Sequence, residues 1–256
     1  MVQGRRQRVG TSYNAAMTLA WAAGALVIFL ASFVMGLTGF GIALVAMAFL
    51  PWLMSPVTAI VLLTLYAFVF SVVVVVQLRR DLTPRALVDL LVGTVAGAPL
   101  GVWVLASLPV SALNRLIGLV LIIVVALEFR GVMPTRLVGR AWGLVTGFLA
   151  GVIGGAVGTP GPPVIVYVTT QGWGPRTMKA NTMGFFVANQ GVILVGYWWA
   201  GLLTREVAIV STAFALPALA GVGAGVALFG RLDPVRFRRI VFGLLLVSGL
   251  VLLVRG

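Results

Sequence analysis

GVIGGAVGTPGPP at residues 151–163 and GLTGFG at residues 36–41 decide the fold of this chain. Each run is rich in glycine, the longer one also in proline, and each interrupts an apolar stretch long enough to enter a bilayer. Glycine lowers helix stability and proline lacks a backbone donor, so each run predicts a break in a helix. Breaks at matching positions in the two halves of a membrane protein indicate a binding site, because only protein or a water-filled cavity can cover the freed backbone.

The composition around the breaks is that of a membrane protein. The 256 residues are 61% hydrophobic and 9% charged, whereas about 25% of the residues in a soluble domain are charged. Apolar segments recur along the whole chain, which predicts an all-α polytopic membrane protein without a soluble domain. The segments are 15–35, 41–54, 57–78, 86–106, 112–128, 141–157, 162–170, 180–203, 207–230 and 236–254.

Charge and residue usage exclude several classes of function. The net charge is +13, and the basic residues cluster in short loops. Such loops are typical of the cytoplasmic side of a membrane, so we expect anionic lipids and no nucleic acid as partners. Cysteine and histidine are absent, which excludes disulfides, haem ligation and histidine-based metal sites. No P-loop, nucleophile–base pair or metal-ligand spacing occurs, so we expect neither an enzyme nor a cofactor.

The two halves of the chain are similar, which predicts an internal duplication. A shift of 124 residues pairs Gly97 with Gly221, and a shift of 115 residues pairs Gly39 with Gly154. The similarity is weak at each residue, but its order along the chain supports a repeat. The predicted organisation is a basic N-terminal tail at 1–14, a first membrane repeat at 15–130 and a second at 131–256, within one membrane domain.

The basic loops favour an inverted relation between the halves. If each broken stretch made one crossing, the halves would be parallel and eight basic residues would face seven across the membrane. If each broken stretch returns to the side it entered, twelve basic residues lie on one side of the membrane and three on the other. This bias is the one expected for cytoplasmic loops, and we therefore predict two inverted repeats, each a Gly-broken helical hairpin plus three transmembrane helices. Arg5, Arg6 and Arg8 disagree, because they would lie outside. The twelve are Arg79, Arg80, Arg85, Arg130, Arg136, Arg140, Arg176, Lys179, Arg231, Arg236, Arg238 and Arg239, and the three are Arg115, Arg205 and Arg255.

The two breaks supply most of the candidate binding residues. A short helix that begins near Pro162 would direct its N-terminal backbone N–H groups at the break, a natural position for an anion. The alternative is that the glycines only allow close helix packing, and the matching positions of the breaks favour the binding site. The substrate-binding candidates here are Thr38, Gly39, Phe40, Gly41, Gly154, Gly155, Gly158, Thr159 and Gly161.

RTMKANTMGFFVANQ, residues 176–190, adds polar candidates on a helix. Asn181 and Asn189 are eight residues apart and can share one helical face. Polar residues within an apolar helix face the bundle interior, where they bind substrate or only hold helices together, and both interpretations stay open for Asn189 and Gln190. Lys179, the only lysine, is a site residue or an anchor at the membrane interface. Lys179, Asn181 and Asn189 complete the candidate set.

GLTGFGIALVAMAFLPWLMSPVTAIVLL at 36–63 and GVIGGAVGTPGPPVIVYVTTQGWGPRTMKANT at 151–182 resemble the TauE/SafE family, the sulfite exporter family of prokaryotic permeases. The resemblance implies a multi-pass inner-membrane permease that moves small sulfur-containing anions. Lys179 and Asn181 stand where many relatives are expected to have arginine and threonine, and Thr159-Pro160 stands where Ile-Gly is usual. A basic residue is kept, so handling of an anion is still implied.

Residues and resemblance together predict a secondary transporter of the cell (inner) membrane that works by alternating access. The absence of acidic residues from the middle of the helices favours a small anion as the substrate, and the resemblance implies a sulfur-containing one such as sulfite or an organosulfonate. Two alternatives stay open: a passive anion channel and a non-transporting membrane assembly protein. An oligomer is compatible with the sequence.

Overall fold

The structure, a computed structural model, describes the backbone of residues 2–130, 137, 139–228 and 234–255. Every regular element in these residues is a helix, as the sequence predicts. Arg136 and Arg231, two of the twelve basic residues above, lie outside the described residues. The α-helices are α1 Val2–Thr38, α2 Ile42–Met47, α3 Pro56–Leu78, α4 Val88–Ser107, α5 Val110–Arg130, α6 Arg140–Val157, α7 Gly161–Thr169, α8 Pro175–Trp199, α9 Arg205–Ala213, α10 Ala215–Leu228 and α11 Pro234–Arg255.

The described helices are long and apolar enough for a multi-pass membrane protein. Five of them could cross a bilayer by length and hydropathy, and a sixth span results if α9 and α10 are counted together. The polytopic all-α fold is therefore confirmed. The five are Thr18–Thr38, Pro56–Leu78, Pro84–Ser107, Val110–Leu127 and Arg140–Val157.

The predicted apolar segment 207–230 is bent rather than continuous. Helices α9 and α10 meet at an angle of 48° around Phe214. Pro217 lies in the first turn of α10, where it has no N–H to bond to the Ala213 carbonyl four residues earlier. A proline at this spacing is a common cause of a sharp kink.

A left-handed glycine ends the helix at each break. The N–H of Gly39 bonds to the Met35 carbonyl at 2.7 Å and the N–H of Gly158 bonds to the Gly154 carbonyl at 2.9 Å, closing α1 and α6 in the same way. Their φ angles are +82° and +72°, which a residue with a side chain rarely adopts. Gly39 thus corresponds to Gly158, a shift of 119 residues, one helical turn from the shift of 115 taken from the sequence.

After each break the chain returns to the end of the bundle at which it entered. Leu53, which precedes α3, lines the same cavity as Trp21 near the start of the α1 span. In the second half, the Gln171 side chain after α7 donates to the Leu137 carbonyl before α6, at 2.9 Å. We call these the first-hairpin end and the second-hairpin end of the bundle.

Helices α3 and α8 run in opposite directions and join the two ends. Asn181 near the start of α8 accepts a hydrogen bond from the backbone N–H of Thr83, which follows α3, at 2.8 Å. Thr58 near the start of α3 donates to Glu206, which follows α8, at 3.3 Å. Because α3 begins at the first-hairpin end and α8 at the second-hairpin end, the hairpins enter from opposite ends. These directions agree with inverted repeats, whose orientation in a membrane stays a prediction.

Close glycine contacts join each half to the other. A Cβ on Gly97 of α4 would collide with the carbonyl oxygen of Phe148 on α6, and a Cβ on Gly221 of α10 would collide with that of Phe29 on α1. Gly97 and Gly221 are 124 residues apart, as predicted, while Phe29 and Phe148 are separated by the same 119 residues as the breaks. The broken helix of each half therefore packs on the later helix of the other half, which supports the predicted duplication.

We expect Gly147→Ala to destabilise the folded protein. A Cβ at this position would collide with the carbonyl oxygen of Leu90, so α4 and α6 must move apart at a cost of about 1–3 kcal/mol. The midpoint of thermal unfolding in detergent should fall by several degrees. Gly223→Ala in α10 is the matched control, because nothing lies within 4 Å of its Cβ position. Equal midpoints for the two variants would contradict the proposed role of the contact.

Single cysteines will test the inverted arrangement, since the natural chain has none. We expect Arg85→Cys and Gly174→Cys to be labelled from one side of the membrane by an impermeant maleimide, and Ala200→Cys from the other side. The loop rule makes the first side cytoplasmic. Labelling of Arg85→Cys and Ala200→Cys from the same side would show parallel halves instead. All three positions are exposed in the structure.

Candidate functional site

The two breaks meet at one cavity. A Cβ on Gly158 would lie 3.7 Å from Cβ of Ala43, and one on Gly161 would lie 3.5 Å from the ring of Phe40. The cavity has a volume of about 30 Å³; a water molecule needs about 10–15 Å³ by this measure, so two or three waters fit. It is lined by Met35, Phe40, Gly41, Ile42, Ala43, Leu44, Ala67, Ser71, Gly158, Thr159, Pro160, Gly161, Pro162, Phe186 and Gln190.

Three of the lining side chains carry buried oxygens without a hydrogen-bond partner among the described residues. They are Oγ of Ser71, Oγ1 of Thr159 and Oε1 of Gln190, in residues that are 0%, 5% and 2% exposed. A buried polar group left unpaired costs about 1–3 kcal/mol, so a single unpaired oxygen already calls for a physical reason. Three around one cavity indicate that a polar occupant, water or ligand, completes their bonding.

Ser71 and Gln190 occupy matching positions of the two halves. They are 119 residues apart, as are Gly39 and Gly158, and Ala67 and Phe186 form a second lining pair with the same separation. In each pair, one residue lies near the middle of α3 and the other near the middle of α8. Helix α3 is long and apolar enough to cross a bilayer, and α8 runs antiparallel to it. A site near the middle of both helices is expected near the centre of the bilayer, where transporters with repeats bind their substrates.

Five of the predicted site residues line the cavity: Phe40, Gly41, Gly158, Thr159 and Gly161. Two others, Thr38 and Gly39, shape the first break without lining it. The Thr38 hydroxyl lies 2.7 Å from the Phe40 carbonyl oxygen and accepts from the Phe40 N–H at 3.3 Å. These local bonds replace helical ones where the chain leaves α1.

Gly154, Gly155 and Asn189 lie beside the second break and support it. The hydroxyl of fully buried Tyr197 donates to the Gly155 carbonyl at 2.8 Å, which satisfies an oxygen freed at the end of α6. Asn189 donates through Nδ2 to Thr94 at 3.2 Å. Its Oδ1 is buried without a partner among the described residues, and a Cβ on Gly154 would lie 3.3 Å from it. None of the three lines the cavity.

Lys179 and Asn181 lie toward the second-hairpin end and away from the cavity. Asn181 is fully buried and exchanges hydrogen bonds with Thr83, accepting at 3.0 Å and donating at 2.7 Å between the side chains. Lys179 is exposed. It is on the same face of α8 as Phe186 and Gln190, which follow seven and eleven residues later, so this face connects the exposed lysine to the cavity.

The cavity is electrically neutral. No charged residue of the described part of the chain lines it. Ion pairs between described residues lie at helix ends and join Arg140 with Asp89 at 3.3 Å and Arg176 with Asp81 at 3.6 Å. Both arginines are more than four-fifths exposed, so these pairs contribute little stability. Within the described residues, no group of three His, Cys, Asp or Glu could hold a metal ion.

The sequence reasoning missed Ser71 and left Gln190 undecided. Ser71 is the only serine within the apolar run of α3, and a serine in such a helix was the available signal. A hydroxyl can bond to its own helix backbone, as Thr64 does to the Ile60 carbonyl at 2.8 Å, so the residue type alone does not reveal a site. Its unpaired state and its position opposite the breaks appear only in the structure.

Comparison with known proteins gives one match. A family model described as "Sulfite exporter TauE/SafE" matches residues 24–252, which include both breaks and the whole lining of the cavity. No curated protein and no solved structure matches the chain.

We expect Tyr197→Phe to weaken the second break. The substitution keeps the ring but leaves the Gly155 carbonyl without its donor in a dry environment, at a cost of about 1–3 kcal/mol. The thermal unfolding midpoint should fall. Tyr167→Phe is the control, since the structure gives that buried tyrosine no hydroxyl partner among the described residues. A midpoint unchanged relative to this control would contradict the role assigned to Tyr197.

Proposed function

The chain belongs to the sulfite exporter TauE/SafE family, and on that premise we propose that it is a secondary transporter for a small, sulfur-containing anion such as sulfite or an organosulfonate. The family consists of membrane transport proteins rather than enzymes. One observation carries the proposal for this chain: the breaks of both halves meet at one cavity, where three polar side chains have buried oxygens without a partner among the described residues. We place the protein in the cell membrane.

In this proposal the anion occupies the cavity. The hydroxyls of Ser71 and Thr159 and the side-chain N–H groups of Gln190 donate to the anion's oxygens, whereas the Oε1 atom of Gln190 can only accept a hydrogen bond. Backbone N–H groups of Gly41 and Gly161 add donors at the two breaks. Thr38, Gly39, Gly154, Gly155 and Asn189 hold the breaks in shape, while Gly158 lets the chain pass close to α3.

The basic second-hairpin end would collect the substrate. Arg79, Arg85 and Arg176 are exposed there, and Lys179 begins the face of α8 that leads to the cavity. Clustered positive charge raises the local concentration of anions and the rate of encounter. Asn181 acts indirectly in this proposal, because its bonds to Thr83 fix the segment that carries Arg79 and Arg85.

A difference between the two breaks supports alternating access. Residues 38–41 of the first break are exposed or partly exposed, whereas the matching residues 157–160 are all buried. Two halves with similar sequences can adopt each other's conformations. If the first break became buried and the second exposed, the cavity would lose its contact with one side of the protein and gain contact with the other. Such an exchange between repeats is the expected basis of alternating access.

A passive anion channel is the second candidate, and counterflow separates the two. If the protein is a carrier, proteoliposomes that contain it and are preloaded with unlabelled sulfite should accumulate labelled sulfite transiently. The flux should also saturate with sulfite concentration. A channel shows neither property. A membrane assembly protein without transport activity would give no flux at all.

We expect Ser71→Ala and Gln190→Leu each to lower the affinity for the transported anion about tenfold, the effect of losing one hydrogen bond to a charged ligand. The measurements are the concentration dependence of uptake into proteoliposomes and the anion-dependent rise in the unfolding midpoint. Ser32→Ala is the matched control, because its hydroxyl is also buried and unpaired but lies outside the cavity. Wild-type affinity in both variants would place the site elsewhere.

A further inference from the structure

We propose that the cavity binds its substrate as a singly charged anion and rejects dianions. Hydrogensulfite and sulfonates would be accepted, while the sulfite dianion and sulfate would be excluded. This inference rests on the proposed function and adds the charge state of the substrate to it.

The first argument is the absence of a compensating charge. No described lysine or arginine lines the cavity, and the exposed basic residues lie at the ends of the helices. The cost of moving an ion from water into a medium of low dielectric constant rises with the square of its charge. A dianion would therefore lose about four times as much hydration energy as a monoanion, without a cation to offset the loss.

The second argument is the small number of hydrogen-bond donors. A site without cations can still hold a dianion if many neutral donors surround it, but this cavity has few. Pro160, Pro162 and Pro163 have no backbone N–H, so the N-terminal turn of α7 keeps only part of its usual set of free donors. The side chains of Ser71, Thr159 and Gln190 then supply most of the donors that remain.

The basic residues at the second-hairpin end do not alter this selectivity. They attract monoanions and dianions alike, and dianions more strongly, but they act in water where salt screens them. Selection takes place deeper, where an anion must leave its hydration shell. No titratable side chain of the described residues of α1, α2, α3, α7 or α8 lines the cavity, so the pH dependence of binding would belong to the substrate.

Uptake by wild-type protein in proteoliposomes will test the proposal, with equal pH on both sides. Sulfite changes from hydrogensulfite to the dianion near neutral pH, whereas methanesulfonate stays a monoanion. Above this transition we expect sulfite uptake at limiting concentration to fall about tenfold for each pH unit. Methanesulfonate uptake should stay constant, which also excludes proton coupling as the cause of the fall. Sulfate should compete at least tenfold more weakly than methanesulfonate.

The possible outcomes separate this inference from the proposed function. Sulfite uptake that does not fall above the transition, or competition by sulfate as strong as by methanesulfonate, overturns the inference and leaves the transporter in place. A fall in methanesulfonate uptake equal to that of sulfite overturns it too. Absence of flux for every anion overturns the proposed function and the inference together.

A charge inserted into the cavity gives an independent test. Gln190→Lys places an ammonium group among the orphaned oxygens with little change in side-chain length, and it should improve competition by sulfate relative to methanesulfonate about tenfold or more. Ser32→Ala is again the control and should leave the ratio unchanged. An unchanged ratio in a folded Gln190→Lys variant would contradict the placement of the anion at this cavity.

Discussion

The rest of the structure depends on one constraint: a helix broken at membrane depth must have its freed backbone groups covered by something other than lipid. Each break meets this need with different groups. At the first break the Thr38 hydroxyl bonds within its own turn, and at the second the Tyr197 hydroxyl reaches the Gly155 carbonyl. The breaks also cover each other, since Gly158 packs against Ala43 and Gly161 against Phe40. Mutual cover brings them together, and the cavity is the space that remains between them.

Close packing elsewhere keeps this arrangement in place. Glycines let α4 lie against α6 and α10 against α1 at distances that no side chain would allow. These contacts join helices of different halves. The broken helix of each half, α1 or α6, is therefore packed against a helix of the other half. Without a hydrophobic driving force between helices in lipid, such dense contacts and hydrogen bonds are the main source of specificity. The positions of the breaks therefore depend on backbone contacts of glycines that do not line the cavity.

Much of the fold could be predicted from the sequence, while the cavity could be predicted only in part. Apolar runs gave the helices and glycine runs gave the breaks, because both signals are local. The sequence comparison paired the breaks one helical turn out of register. Glycines recur every three or four residues near the breaks, so a shift by one turn still aligns glycine with glycine. The kink near Phe214 was open to prediction from Pro217. The unpaired state of Ser71 was not, because it depends on which neighbours fail to reach it.

The crossed contacts between halves also have a consequence for biosynthesis. Helix α1 is made long before α10, yet its glycine Gly36 packs against Gly225 of α10. A contact between residues so far apart in sequence forms late and slowly. During insertion the small-residue face of α1 must therefore remain against lipid or an insertion factor until α10 has been made. A chain truncated before α10 would leave that face permanently uncovered, a natural mark for the proteases that remove incomplete membrane proteins.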